Sequence, residues 1–172
     1  MVSPPNNPQH MDESPHFAPS RQDAKMAEPE QALDALARLI VDTAFRLHRD
    51  LGAGLLESAY EGLLAAKLEK AGLCVERQVA MDAVFEDVVL PHAYRIDLLV
   101  EGSIVIEIKS TERPTAAHAK QVLTYLKLGG FPLGFVINFG TPMFRDGIKR
   151  LINSTVPLAS WRLGANQRKS DG

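Results

Sequence analysis

The chain has 172 residues, 45% hydrophobic and 23% charged, ordinary proportions for one globular domain with a core of its own. A formal net charge of -2 excludes a globally basic nucleic-acid binder, so any anion-binding site must be a local patch. Cys74 is the one cysteine, which excludes an intramolecular disulfide and a zinc-finger cluster.

Residues 1–30 are rich in Pro, Ser, Asn, Gln and charge. They read as a disordered tail, unable to bury enough apolar area to offset the entropy of ordering. They carry neither the basic nor the apolar stretch of a secretory signal, and no apolar run approaches the roughly 18 residues that span a membrane. A cytoplasmic protein is expected. His10 and His16 read as solvated tail histidines, and Met11 and Met26 stand as alternative starts to Met1. Residues 31–163 read as one domain, and 164–172 as a second disordered tail.

Leu33, Leu36, Ile40, Phe45, Leu47 and Leu51 recur at about three-to-four-residue steps, which predicts a helix from Ala32 to Leu51 broken by Gly52-Ala53-Gly54. His48 near its end is expected to be a structural or surface residue, favourably placed on the helix dipole. A second helix is predicted from Leu56 to Ala71, closed by Gly72. Glu57 and Tyr60 share one of its faces, with Glu61 one step further along. On its own, Glu57 reads as an acidic first-turn residue complementing the dipole.

Cys74 to Phe85 alternates as a strand with one buried face, bent near Ala80, with Cys74 as a small core hydrophobe. Glu86-Asp87 is a turn, and Pro91 marks an irregular or edge position. His92 reads as a surface histidine. The stretch Tyr94 to Ser110 then carries two apolar runs, Ile96 to Val100 and Ile104 to Ile108, which form a hairpin signal. Asp97 interrupts the first run; Glu107 and Lys109 interrupt the second and share a face. Burying such carboxylates is costly unless a metal, a cation or hydrogen bonds compensate. For Asp97 and Glu107 to converge, the hairpin needs a three-residue loop centred near Gly102, or a bulge before Glu107. Ile96, Leu98 and Val100 would then share the opposite face with Ile104, Ile106 and Ile108.

Pro114 opens a helix that runs to about Leu128 and stops at Gly129-Gly130. His118, Gln121 and Tyr125 lie along one face of it. Leu133 to Phe139 reads as a strand buried on both faces, and residues 147–152 as a short last strand or helix, the strand preferred. Between Pro114 and Arg162 the cations Lys120, Lys127, Arg145, Lys149, Arg150 and Arg162 face Asp146 alone, a local basic excess. The order helix, helix, strand, strand, strand, helix, strand implies an α/β (α+β) domain, a mixed central sheet with helices packed on it.

Asp97, followed across a hairpin by Glu107-x-Lys109, resembles the signature of the PD-(D/E)xK nuclease superfamily, with Ile96 where the name-giving Pro would stand. Gly54, Glu57 and Tyr60 spell G-x-x-E-x-x-Y. In sequence the chain resembles the GxxExxY protein family, a bacterial and archaeal group placed in that superfamily. The likeness runs from about Leu39 to Ile152. It takes in Leu-Gly-x-Gly-Leu-Leu-Glu-Ser-x-Tyr, Tyr-Arg-x-Asp-Leu-Leu-Val, Glu-x-Lys, a Gln-x-x-x-Tyr-Leu helix and Val-Ile-Asn-Phe-Gly.

The resemblance implies a restriction-endonuclease-like core of order ααβββαβ and a nuclease that hydrolyses phosphodiester bonds with Mg²⁺ or Mn²⁺. Its partner would be nucleic acid, DNA before RNA, with a homodimer left open and no membrane. Asp97 and Glu107 are hard oxygen ligands suited to such a metal; the resemblance adds the Ile108 carbonyl, and Glu57 would supply a third carboxylate. Catalysis would fall to Asp97, Glu107, Lys109 and Gln121, with Lys109 orienting water or stabilising the phosphorane. Tyr60, His118 and Tyr125 would bind substrate. Two other readings stay open: a non-catalytic nucleic-acid-binding or accessory protein that keeps the fold, and a merely structural Glu107–Lys109 ion pair.

Overall fold

The computed structural model describes residues 21–156. His10, His16, Met11, Arg162 and the tail over 164–172 lie outside them. The elements in chain order are α1 (Arg21–Leu51), α2 (Glu57–Lys70), β1 (Val75–Phe85), β2 (Val88–Val100), β3 (Ile104–Lys109), α3 (Ala116–Gly129), β4 (Leu133–Asn138), α4 (Phe144–Gly147) and β5 (Ile148–Ile152). The five strands form one sheet in the order β1-β2-β3-β4-β5. β1, β2 and β3 make an antiparallel meander, β3 and β4 run parallel, and β5 returns antiparallel to β4. Two short loops suffice for the meander, whereas the parallel pair needs the α3 crossover. The result is the mixed α+β sheet with flanking helices that the sequence implies.

Strand alternation divides the core into two layers. On one face Leu98, Val100, Ile104, Ile106, Ile108 and Ile137 pack against Leu36, Ile40, Tyr60 and Leu64 of α1 and α2. On the other face Val105 and Val136 meet Ala119, Val122 and Leu126 of α3.

The β2–β3 hairpin has the register that convergence of the two carboxylates requires. Val100 pairs with Ile104, Leu99 with Val105 and Leu98 with Ile106, which leaves Glu101-Gly102-Ser103 as a three-residue loop. Gly102 takes a φ of 56°, the left-handed conformation such a loop needs. One part of the expected facing is corrected. Ile96 does not join Leu98 and Val100; it lies in the α3-side layer with Val122 and Tyr125. Its ladder partner Val79 lies in the same layer, and Gln78, opposite Asp97 at the step where the layer changes, has a φ of 52°, a left-handed conformation that breaks the alternation of its own strand.

Three further corrections concern local structure. α1 starts at Arg21, so the last part of the expected 1–30 tail is helical. Ala24, Lys25, Met26, Ala27 and Glu28 are good helix formers and extend the helix ahead of its apolar stripe. Cys74 is exposed and precedes β1, where its N–H donates to Glu101 Oε1 at 2.8 Å. The single turn α4 was not anticipated; it is too short to show a period.

Candidate metal-binding and catalytic site

The site sits where β2 and β3 part. Beyond the Leu98–Ile106 pair, the next β3 amide facing β2 is that of Ile108, and it donates to Asp97 Oδ2 at 2.8 Å rather than to a carbonyl. A carboxylate thus fills the fork in the sheet. Within a strand, the N–H and C=O of one residue leave on the same side, so the Ile108 carbonyl also opens towards Asp97. Glu107 follows on β3, 2% exposed. Its Oε1 accepts from Lys109 Nζ at 2.6 Å, while its Oε2 is buried without a hydrogen-bond partner.

The electrostatics follow from this crowding. Burial raises the Asp97 pKa; the Ile108 amide, the Lys109 charge and Gln78 pull it down, and Glu61 pushes it up, leaving it raised. Glu107 is raised too, by burial first and then by the charges of Asp97 and Glu57, against the opposing pull of Lys109. Burial alone would lower Lys109, but the hydrogen bond and charge of Glu107 outweigh it and hold the ammonium above its ordinary value. An orphaned carboxylate oxygen in a carboxylate-rich pocket is the environment a cation relieves.

The donor set therefore fits a hard divalent ion: Asp97, Glu107 and the Ile108 carbonyl, with water completing the shell. Among the described residues, no three His, Cys, Asp or Glu side chains cluster closely enough to hold a metal by themselves. Glu57 Oε1 accepts from the Ser110 amide at 3.1 Å, capping the end of β3. It borders the site, and its charge acts on Glu107 and Lys109.

The G-x-x-E-x-x-Y run has a local structural logic. Gly54 has a φ of 124°, which a side chain would strain. That turn lets the Leu55 carbonyl accept from Ser110 Oγ at 2.7 Å while Glu57 takes the Ser110 amide. Tyr60 is a buried brace. It is 0% exposed, its hydroxyl donates to the Gly52 carbonyl at 2.5 Å and accepts from the Leu55 amide at 3.3 Å. Its ring stacks on Phe139 at 4.3 Å and 4°.

α3 forms the opposite wall. Gln121 Nε2 donates to the Tyr125 hydroxyl at 2.6 Å. Burial raises the Tyr125 pKa, and the charges of Glu107 and Asp97 add to the rise. Tyr125 is only 2% exposed, and its hydroxyl holds the Gln121 amide in place. His118 Nδ1 is buried without a partner. Burial and the Lys109 charge lower the pKa of its ring against the pull of Glu57.

Sequence reasoning passed over Asn138, Glu61 and Gln78. Asn138 is 0% exposed and clamps the ends of β3 and β4 together. Its Oδ1 accepts from the Thr111 amide at 2.9 Å and the Gly140 amide at 3.0 Å, and its Nδ2 donates to the Thr111 carbonyl at 2.7 Å. The signal was an amide at the end of an otherwise apolar run. Glu61, 6% exposed, accepts from Arg77 Nε at 3.0 Å and from Gln78 Nε2 at 2.6 Å. His48 is the structural histidine expected; its Nε2 meets the Thr141 carbonyl at 2.8 Å.

A family model described as the PD-(D/E)XK nuclease superfamily matches residues 34–151. No curated protein matches the chain. Among solved structures, one titled "Crystal structure of SSO0001" is similar at 16% identity over 84% of each chain, with a TM-score of 0.32. No helix among the described residues is long and apolar enough to cross a membrane.

Proposed function

The chain belongs to the PD-(D/E)XK nuclease superfamily, and from that premise we propose that it is a Mg²⁺- or Mn²⁺-dependent nuclease. Its substrate would be nucleic acid, DNA before RNA, in the cytoplasm. The G-x-x-E-x-x-Y run supports a finer membership, in the GxxExxY group. The observation that carries this reading is the buried, unpartnered Oε2 of Glu107 beside an Asp97 whose carboxylate is already aimed by the Ile108 amide.

Asp97, Glu107 and the Ile108 carbonyl would hold the metal. When bound, that ion neutralises phosphate charge and lowers the pKa of an attacking water. The remaining work falls to the chain. Lys109 keeps its proton at Nζ and presents a fixed positive charge to the developing phosphorane. Gln121, its amide nitrogen committed to Tyr125, would offer its oxygen to orient a water. His118 lines the approach with a neutral ring suited to a substrate hydrogen bond.

A second reading is a binding or accessory protein without catalysis. The closed Glu107–Lys109 pair at 2.6 Å favours it, since one carboxylate oxygen is already neutralised. Thermal melting separates the two. On the nuclease reading Mn²⁺ and Mg²⁺ raise the wild-type midpoint by ligand linkage, and Asp97→Asn abolishes the rise. A wild type that melts identically with and without either ion would contradict the metal site.

A further inference from the structure

We propose that Gln78, aimed by Glu61, is a positioning residue that sets the metal-binding orientation of Asp97. The inference rests on the proposed metal site and extends it to a pair of residues outside the superfamily signature.

Three observations converge. Gln78 Nε2 lies 2.6 Å from Glu61 Oε2 and 3.3 Å from Asp97 Oδ1, so one amide nitrogen bridges two carboxylates with its two hydrogens. Gln78 stands across from Asp97, between the Arg77–Leu98 and Val79–Ile96 pairs. Its φ of 52° is a conformation costly for a residue that is not glycine, and such strain is held only where the surroundings enforce it.

The chemistry gives Glu61 a specific task. An amide side chain presents an acceptor and a donor of nearly equal shape, and because an ionised carboxylate only accepts, Glu61 and Asp97 both call for the nitrogen. Glu61, buried on α2 with its other oxygen on Arg77 Nε at 3.0 Å, takes one hydrogen in the shorter bond and so holds the nitrogen where its second hydrogen reaches Asp97. Gln78 then donates to Oδ1 of Asp97 while the Ile108 amide holds Oδ2 at 2.8 Å. With both oxygens restrained, the carboxylate plane is fixed and its remaining lone pairs are left for a cation. Outer partners of this kind commonly change metal affinity by about 10–100-fold.

The test is Mn²⁺ binding by calorimetry on the full, metal-free chain, without nucleic acid. Wild type, Asp97→Asn, Gln78→Met and Arg77→Met are compared. Gln78→Met keeps side-chain length and removes both hydrogen bonds. Arg77→Met breaks the other tie to Glu61 without touching Asp97, so a merely structural role for Glu61 predicts equal losses from the two. The expected result is binding in the wild type, none in Asp97→Asn, affinity about tenfold weaker in Gln78→Met, and a smaller loss in Arg77→Met. Wild-type affinity in Gln78→Met, or equal losses in the Gln78 and Arg77 variants, overturns the inference while leaving the metal site standing. A wild type that binds no Mn²⁺ overturns the metal site itself and this inference with it. Should Gln78→Met fail to fold, Gln78→Asn replaces it, because asparagine tolerates the left-handed backbone but is a methylene too short to bridge.

Discussion

Lys109 Nζ lies 2.6 Å from Oε1 of Glu107, two residues earlier on the same face of β3, while the other oxygen of that carboxylate has no partner. One half of Glu107 is neutralised and the other is left for a cation. Lys109→Met should therefore separate binding from chemistry. Mn²⁺ binding persists, because no ligand is lost, while cleavage falls by about 10²-fold or more. In EDTA the variant should lose about 1–3 kcal/mol of stability, since Glu107 stays buried without its cation, and Mn²⁺ should restore much of that. Urea unfolding with and without the ion, beside a cleavage assay, checks all three.

The raised carboxylates make a pH prediction. Asp97 and Glu107 sit above their ordinary values of 3.8 and 4.5, so the native state keeps protons that the unfolded chain has released. Metal-free stability then falls as pH rises from the ordinary values through the raised ones. Metal binding opposes this, because it favours the deprotonated carboxylates and releases protons; the stabilisation by Mn²⁺ should grow with pH over the same interval. The double variant Asp97→Asn/Glu107→Gln should flatten both trends. A variant that keeps the wild-type pH dependence in EDTA would assign it to other groups.

Tyr60 and Gly54 brace the loop that holds Ser110. Tyr60→Phe keeps the stack on Phe139 and should cost about 0.5–1.5 kcal/mol, the loss of its hydroxyl contacts, with affinity for an oligonucleotide unchanged. Gly54→Ala should cost about 1–3 kcal/mol, because its φ of 124° suits glycine alone. It should also lower activity by shifting the Leu55 carbonyl away from Ser110. Chemical denaturation and fluorescence-anisotropy binding measure the two effects separately; weaker oligonucleotide binding in Tyr60→Phe would return that residue to the substrate surface.

Asn138 offers a second structural test. Asn138→Ala removes the clamp between Thr111 and Gly140 and strands buried backbone groups, for a loss of about 1–3 kcal/mol. Gly140→Ala should be at least as damaging, since a Cβ there would run into the backbone of Thr111. Melting temperatures that stay within error of the wild type would mean the strand ends hold together without this clamp.

These residues also mark how far the sequence could be read. The hairpin register was legible because strand parity leaves few options once Asp97 and Glu107 must meet. The paired helices and the α3 crossover were legible from apolar period and Gly stops. The face reversal at Ile96 was hidden, because the apolar alternation along β2 gives no sign of a change of layer between Ile96 and Leu98. The braced role of Tyr60 was hidden for a related reason: i, i+3 spacing from Glu57 places both on one helix face, but cannot say that the loop folds back over the hydroxyl. Cys74 misled because alternation was extended one residue past the start of β1. The bridge from Glu61 through Gln78 to Asp97 joins three separate elements, and no local pattern announces it.

The central claim, that Asp97, Glu107 and Lys109 form a metal-dependent phosphodiesterase site, is tested most directly by cleavage. Single- and double-stranded DNA and RNA are incubated with wild type, Glu107→Gln and Lys109→Ala, each in Mn²⁺, Mg²⁺ and EDTA. The account predicts cleavage of at least one nucleic acid by the wild type in Mn²⁺ or Mg²⁺, none in EDTA, and loss in both variants while they remain folded. Cleavage by the wild type in EDTA, undiminished cleavage by Glu107→Gln, or no cleavage by the wild type of any substrate would contradict it.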